Sequence, residues 1–326
     1  MLSTALLDNF VGTRILIVGD VMLDEYVWGE VRRISQEAPV PVVEAQRRTY
    51  AAGGASNVAT NVVSLGGTAL LGGVLGTDEA GRQLRYLLAQ ADVRVEGLIA
   101  DAGRPTTTKT RIIAHSQQVV RVDSETRAPI SPAAQDALLQ WAADQMPHVG
   151  ACVLSDYLKG VLTPDFTRQF FALARTHQKP VIVDPKGTDY SRYRGATVLK
   201  PNFRELEQLI HRDIGDEAQL KQAAGEALAL LEGSALLVSR GAEGMSLFLA
   251  DGGQVRIPPV IRPVYDTTGA GDTVVCTLAL ALGAGHTLET AARLANHAAG
   301  IVVGKLGTAC VTLEELRQDL VAHESE

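Results

Sequence analysis

Cysteine is scarce in this chain. Only Cys152, Cys276 and Cys310 occur in 326 residues, an odd number, far apart and set in apolar runs. That excludes a disulfide framework or a cysteine-built metal cluster and reads as reduced core thiols of a cytoplasmic protein. A basic excess is also missing. Thirty Lys and Arg against 37 Asp and Glu leave a formal charge of −7, which argues against a broad nucleic-acid footprint. A small anionic substrate stays compatible, because a few local cations suffice to hold it. No apolar stretch is long and unbroken enough to span a bilayer. The start, Met1 to Asp8, lacks the basic opening of a secretory leader. No internal repeat, low-complexity tract or long linker interrupts the chain. Two nucleotide fingerprints fail as well. A dinucleotide motif at Gly269-Ala-Gly271 needs Gly or Ala where Val274 stands. A P-loop at Gly304-Lys305 fails because Leu306 replaces the Ser/Thr and Ala299 the leading Gly.

What is present is a large apolar fraction, 46% of residues, enough for one big α/β domain or two unequal ones. Short β-rich runs alternate with helical patterns: Ile15–Val18, Ala69–Leu71, Ala151–Leu154, Val181–Val183, Thr197–Leu199 and Ala235–Val238. Each is nearly free of charge, as strands buried on both faces should be, so a mainly parallel sheet flanked by helices is expected. Polar or glycine residues follow several of these runs, at Gly19-Asp20, Ser155-Asp156, Asp184-Pro-Lys186, Lys200-Pro-Asn202 and Ser239-Arg-Gly241. The ligand crevice of an open α/β sheet lies at those strand ends. Two segments, about 25–50 and 104–124, are strand-like without helices of their own. They are expected to form a small discontinuous sheet that covers the crevice as a lid. Val27, Trp28, Val31, Ile112 and Ile113 would give it an apolar face for the main body or a second subunit. The tail from His323 to Glu326 should fray.

The most informative stretch is Asp266-Thr-Thr-Gly-Ala-Gly-Asp272, followed by the apolar run Thr273–Leu282. It predicts a glycine turn opening a buried helix, with the N–H groups of Ala270, Gly271 and Asp272 forming an anion site. Gly269 and Gly271 allow close approach to the anion. Asp272 beside such a site fits a base that takes a proton from an attacking hydroxyl. A plain glycine turn with an acidic residue in the helix's first turn explains the same residues. Asn202 and Glu205 are spaced for a capping box, or for organising hydrated Mg²⁺. Gly53, Gly54 and Asn57 read as a capped glycine loop, or as a hinge touching a polyol. Asp20 and Asp24 read as turn residues, or as acceptors for sugar hydroxyls. Ser239, Gly241 and Gly244 read as turn chemistry that also allows close packing on a nucleotide. Lys109, Arg111, Lys159 and Lys186 are the candidate cations for a substrate phosphate.

With these residues in view, the chain resembles the ribokinase-type (PfkB) family of carbohydrate kinases. Ala52-Gly-Gly-Ala-Ser-Asn-Val-Ala59 early, Asp266–Asp272 late and Asn202-x-x-Glu205 between them carry the resemblance over nearly the whole length. It implies a ribokinase-like fold with a β-sheet lid, and ATP and Mg²⁺ as cofactors. It also implies Asp272 as base, and Gly269, Ala270 and Gly271 as anion hole. Asn202 and Glu205 would lie near the metal through water, and Ser239, Gly241, Gly244 and Asn296 around the nucleotide. Gly19–Asp24, Arg33–Val42 and Asp184–Tyr190 are similar to the branch that phosphorylates O1 of D-glycero-β-D-manno-heptose 7-phosphate on the way to ADP-heptose for lipopolysaccharide. No His-x-Gly-His motif of a fused nucleotidyltransferase is present, so a stand-alone kinase is expected. The expected partner is a small sugar phosphate, without nucleic acid or membrane, with a homodimer formed through the lid. Monovalent-cation activation, another sugar or nucleoside as substrate, and a non-catalytic sensor on the same scaffold stay open.

Overall fold

The computed structural model describes residues 2–115, 117–305, 307 and 309–323. Of the expected frayed tail, His323 ends the last helix, and residues 324–326 lie outside the described residues. In chain order the strands are β1 (Arg14–Gly19), β2 (Val21–Ile34), β3 (Pro41–Gly54), β4 (Thr68–Leu75), β5 (Arg94–Ala100), β6 (Thr108–Ala114) and β7 (Gln117–Ser124). They continue with β8 (Ala151–Ser155), β9 (Val181–Asp184), β10 (Val198–Leu199), β11 (Ala235–Ser239), β12 (Met245–Phe248) and β13 (Gln254–Ile257). The helices are α1 (Ala55–Ser64), α2 (Glu79–Gln90), α3 (Pro132–Gln145), α4 (Pro164–Thr176), α5 (Phe203–Ile210), α6 (Glu217–Ala229), α7 (Ala270–Gly283), α8 (Leu288–Val302) and α9 (Leu313–His323).

Nine strands form the main sheet in the order β13-β12-β11-β10-β9-β8-β1-β4-β5, parallel except where β12 and β13 join. Side chains alternate across it. Ile15, Ile17, Ala151 and Val153 enter one core with α1, α7 and α8, while Leu16, Val18, Cys152 and Leu154 enter the other with α3, α4 and α6. Both faces are therefore covered, which is why these strands carry so little charge. The order departs in two directions from β1, toward β4 and toward β8, so the crevice expected at a topological switch point lies past Gly19 and Ser155. Helix α7 is buried on nearly every side and packs beneath that point.

The second sheet has the order β3-β2-β6-β7. Asp20 alone separates β1 from β2, and β3 runs directly into α1, so the small sheet is tied to the crevice at both ends. Its strands extend past the expected limits, starting at Val21 and ending at Gly54. Val27 is buried and Trp28, Val31, Ile112 and Ile113 are half-buried, whereas Ile34, Val40, Val119, Val120 and Val122 stay exposed. Strands β5 and β13 were not expected. Both carry charges (Arg94 and Glu96; Arg256) and sit at the sheet's two edges, where one side faces water and the apolar signal fades. Cys152 and Cys276 are buried free thiols, but Cys310 is only half-buried, which corrects its reading as a core residue. Among the described residues no helix is long and apolar enough to cross a membrane.

Candidate active site

The late glycine turn forms as its residue types demand. Gly269 adopts a left-handed conformation (φ 82°) as the residue before α7, which a side chain would resist. Asp266 braces the turn by accepting from Thr268 N–H (2.9 Å), Thr268 Oγ1 (2.7 Å) and Gly307 N–H (3.0 Å). One expectation is corrected: the Ala270 N–H donates to Thr267 O at 3.2 Å, so it does not belong to the anion site. Among the described residues, the Gly271 and Asp272 N–H groups have no backbone partner and remain available at the helix start. A Cβ on Gly271 would come within 3.0 Å of Lys200 Nζ, so this glycine lets a buried ammonium stand beside the two N–H groups. Two unpartnered amides and one buried lysine thus converge at the start of α7, a set that could hold an anion.

Asp272 lies at the centre of a buried polar cluster. Asn57 Nδ2 donates to one carboxylate oxygen at 2.7 Å and Tyr157 OH to the other at 3.1 Å. Asn57 sits in the first turn of α1, where Asn61 Nδ2 donates to its side-chain oxygen (3.2 Å) and so turns its NH₂ toward Asp272. Burial, then the neighbouring Asp184 carboxylate, push the Asp272 carboxyl up to about 7, while Asn57, Tyr157 and Lys200 oppose them. The dipole at the start of α7 favours the ionised form, but removal from water and a second acid outweigh it. Lys200 is buried and held by Asp184 at 2.9 Å. Burial opposes its charge, but Asp184 and Glu205 prevail and keep its pKa above the usual lysine value.

Asn202 and Glu205 make a complete capping box: Glu205 N–H donates to Asn202 Oδ1 (2.9 Å) and Asn202 N–H to Glu205 Oε2 (2.8 Å). Glu205 Oε1 pairs with Lys186, whose Nζ also lies 5.8 Å from the centre of the Tyr157 ring. Asp184, Glu205, Lys186 and Lys200 therefore gather oxygen donors and balancing cations beside the glycine turn. That donor set fits a hydrated Mg²⁺ beside phosphate oxygens. Asn202 also forms a parallel bridge with Ser239, which sets the capping box against the turn between β11 and β12. At that turn Gly241 (φ 58°) has open space beside it, whereas a Cβ on Gly244 would meet Ile257 O at 2.2 Å. Gly244 is thus explained by the hairpin's own packing. Asn296 on α8 donates to Pro258 O at 2.8 Å and lines a cavity of about 960 Å³ with Pro259, Val260 and Arg293.

The candidate substrate residues divide. Asp24 pairs with Arg111, and a Cβ on Gly53 would lie 2.5 Å from Asp24 Oδ2, so glycine is needed where β3 passes β2. Gly54 (φ 56°) closes against Asp20 O in the same way. Lys109 and Lys159 both approach Glu125, at 3.8 and 2.7 Å. The reading of Asp20 as a sugar-hydroxyl acceptor is corrected. It is buried, and its oxygens accept from the N–H groups of Tyr157 (2.8 Å), Lys159 (3.0 Å) and Val161 (3.3 Å), so it anchors a loop. Asp184 and Lys200 fall on the strand-end lining expected from the sequence, though without the roles they take here, whereas Tyr157 and Glu125, just past β8 and β7, were missed.

A buried carboxylate at a helix N-terminus beside two unpartnered amides and a lysine, at the crevice of this sheet, is a set that phosphoryl transfer can use, and the family match makes the chain a phosphotransferase acting on a sugar alcohol. The family description "pfkB family carbohydrate kinase" matches residues 13–315, and the chain belongs to that family. The "Bifunctional protein HldE" of Geobacter metallireducens is 47% identical over 301 residues, covering 92% of this chain and 61% of that protein. Its counterpart from Citrifermentans bemidjiense is 48% identical over 303 residues, covering 93% and 62%. The chain thus spans about three-fifths of the length of these relatives. Among solved structures, Arabidopsis thaliana ribokinase complexed with ribose and ATP superposes with a TM-score of 0.76 at 22% identity, covering 95% of this chain and 99% of that one. Escherichia coli phosphofructokinase-2 in complex with potassium gives 0.75 at 20% identity, covering 97% and 100%. The fold is ribokinase-like, and family membership implies ATP as phosphoryl donor, typically with Mg²⁺.

Proposed function

We propose that the chain transfers the γ-phosphoryl group of ATP to O1 of D-glycero-β-D-manno-heptose 7-phosphate, giving the 1,7-bisphosphate and ADP for ADP-heptose and lipopolysaccharide synthesis in the cytoplasm. The observation that carries the chemistry is Asp272, gripped by Asn57 and Tyr157 beside the Gly271 and Asp272 amides and Lys200. The substrate rests on the similarity to the heptose-pathway relatives. As the sugar O1 attacks, the O1–Pγ bond forms, the bond from Pγ to the bridging oxygen breaks, and the O1 proton passes to Asp272. The two amides and Lys200 hold the charge on the transferring group. Asn202 and Glu205 would hold Mg²⁺ through water, and the metal when bound neutralises phosphate charge. Asp24, Gly53, Gly54 and Asn57 line the sugar's position, and Ser239, Gly241, Gly244 and Asn296 lie on the nucleotide side. The small sheet closes as a lid and keeps water from ATP.

The test is ADP release from ATP–Mg²⁺, with and without K⁺, using heptose 7-phosphate, fructose 6-phosphate, fructose, ribose and adenosine. Selective turnover of heptose 7-phosphate supports the assignment, and turnover of a different compound overturns the substrate. ATP binding without turnover of any would point to a sensor. Asp272→Asn should keep ATP binding and lose about two or more orders of magnitude in kcat. Near-normal kcat would remove Asp272 from the role of base.

A further inference from the structure

The four candidate phosphate cations are not equivalent. Arg111 is held by Asp24, and Lys186 by Glu205 beside the catalytic turn. Lys109 and Lys159 come from different bodies, one from β6 of the small sheet and one from the loop after β8, yet approach a single carboxylate. Glu125, just past β7, is 2.7 Å from Lys159 Nζ and 3.8 Å from Lys109 Nζ, with Asp123 3.5 Å from Lys109. Lys159 is buried, and Glu125 Oε2 is a buried atom without a hydrogen-bond partner. Such an oxygen is poorly served where it sits.

The loop that carries Lys159 is fixed in place. Asp20 accepts from three of its N–H groups, Leu158 takes a left-handed conformation (φ 56°), and a Cβ on Gly160 would meet Ala128 O at 2.0 Å. One residue of this loop, Tyr157, reaches Asp272, and Lys159, two residues further on, reaches Glu125. The loop therefore joins the reacting end of the crevice to a cationic end roughly 7 Å of backbone away, with both side chains adding to that span.

Building on the reading above, we propose that Lys109 and Lys159 form the subsite for the phosphate the sugar already carries, and that Glu125 is their resident counter-ion, displaced when that phosphate binds. A buried ammonium needs a partner at all times, and Glu125 supplies one while the crevice is empty. A phosphate brings more charge and three acceptor oxygens, suited to two converging point-like ammonium groups. The displaced carboxylate has Arg127, exposed and already 3.5 Å away, to receive it. Because Glu125 and Lys109 belong to the small sheet and Lys159 to the body, the exchange also ties lid position to the phosphorylated substrate.

The test compares KM and kcat for heptose 7-phosphate, with fructose 6-phosphate as a second probe, in the full chain and its variants. Lys159→Met should raise KM roughly ten- to a hundredfold and lower kcat far less, with partial rescue in Lys159→Arg. Glu125→Gln should lower KM, because the phosphate no longer competes with a carboxylate. Arg32→Met, which removes an exposed charge on the same sheet, should change neither. Opposite signs for the Lys159 and Glu125 variants support the subsite; a rise in KM for both shows a structural ion pair and overturns it. If the wild type phosphorylates a sugar phosphate but Lys159→Met and Lys109→Met leave KM alone, the subsite falls and the kinase assignment stands. Turnover of unphosphorylated sugars alone overturns both. Should Lys159→Met fail to fold, Lys109→Met, nearer the rim, reads the same KM.

Discussion

Asp272 is a carboxylate that folding makes less acidic, and its chemistry follows from that. In the proposed role of base Asp272 must be ionised to accept a proton, so kcat/KM should rise with pH to a plateau above about 7, the value to which burial and Asp184 push the group. Tyr157 stays protonated, since burial and Asp272 itself raise its pKa well above 10, and its O–H stabilises the ionised carboxylate. Tyr157→Phe should therefore move the acidic limb of the pH–rate profile to higher pH, by up to about one unit. An unmoved limb would show that this hydrogen bond does not tune the base. The same shift has a stability consequence. A carboxyl whose folded pKa lies above its unfolded one favours folding at low pH, and that contribution is lost as pH rises from about 3.8 to about 7. Asp272→Asn escapes the loss. Its melting temperature relative to wild type should climb between pH 4 and 7 and level off above, as scanning fluorimetry would record.

At the scale of elements, the glycine turn before α7 depends on how α8, α9 and the β13–α7 connection are fastened together. Asp319 of α9 accepts from His297 Nδ1 of α8 at 2.6 Å and pairs with Arg262 of the connection. Burial would raise its pKa, but His297 and Arg262 prevail and hold the carboxyl below the usual range. Its contribution is accordingly present above the ordinary carboxylate pKa and lost as pH falls. Asp319→Asn should cost roughly 2 kcal/mol in urea denaturation at pH 7, with the deficit shrinking in acid. No deficit at pH 7 would mean that the cluster is solvated and adds nothing. The elements themselves were legible in different degrees. Helix α5 (Phe203–Ile210) opens at the capping box that the Asn202–Glu205 spacing indicates. Helix α1 begins at Ala55, where small residues at a glycine-capped start leave no apolar edge to read in the sequence.

For the whole molecule, the open question is what covers the small sheet. Ile34, Val119, Val120 and Val122 are exposed on it, with Val40 in the turn beside it, and a second copy of the chain, joined through the lids, would bury them. Light scattering should find a dimer, and Val122→Glu should shift it toward monomer. A monomeric wild type would refute the dimer.

The sequence by itself determined the layered α/β plan, the two-part second sheet and the position of the glycine turn before α7. Those depend on local signals: charge-free runs, glycines needing a left-handed backbone, and an acidic residue at a helix start. Tertiary structure decided the rest. It brought Asn57, Tyr157 and Asp272 together across more than a hundred residues, gave Asp20 to a loop, engaged the Ala270 N–H with Thr267 and set Lys200 beside Gly271. It also raised the Asp272 pKa, because burial and the approach of Asp184 are properties of packed space that no local stretch of chain encodes.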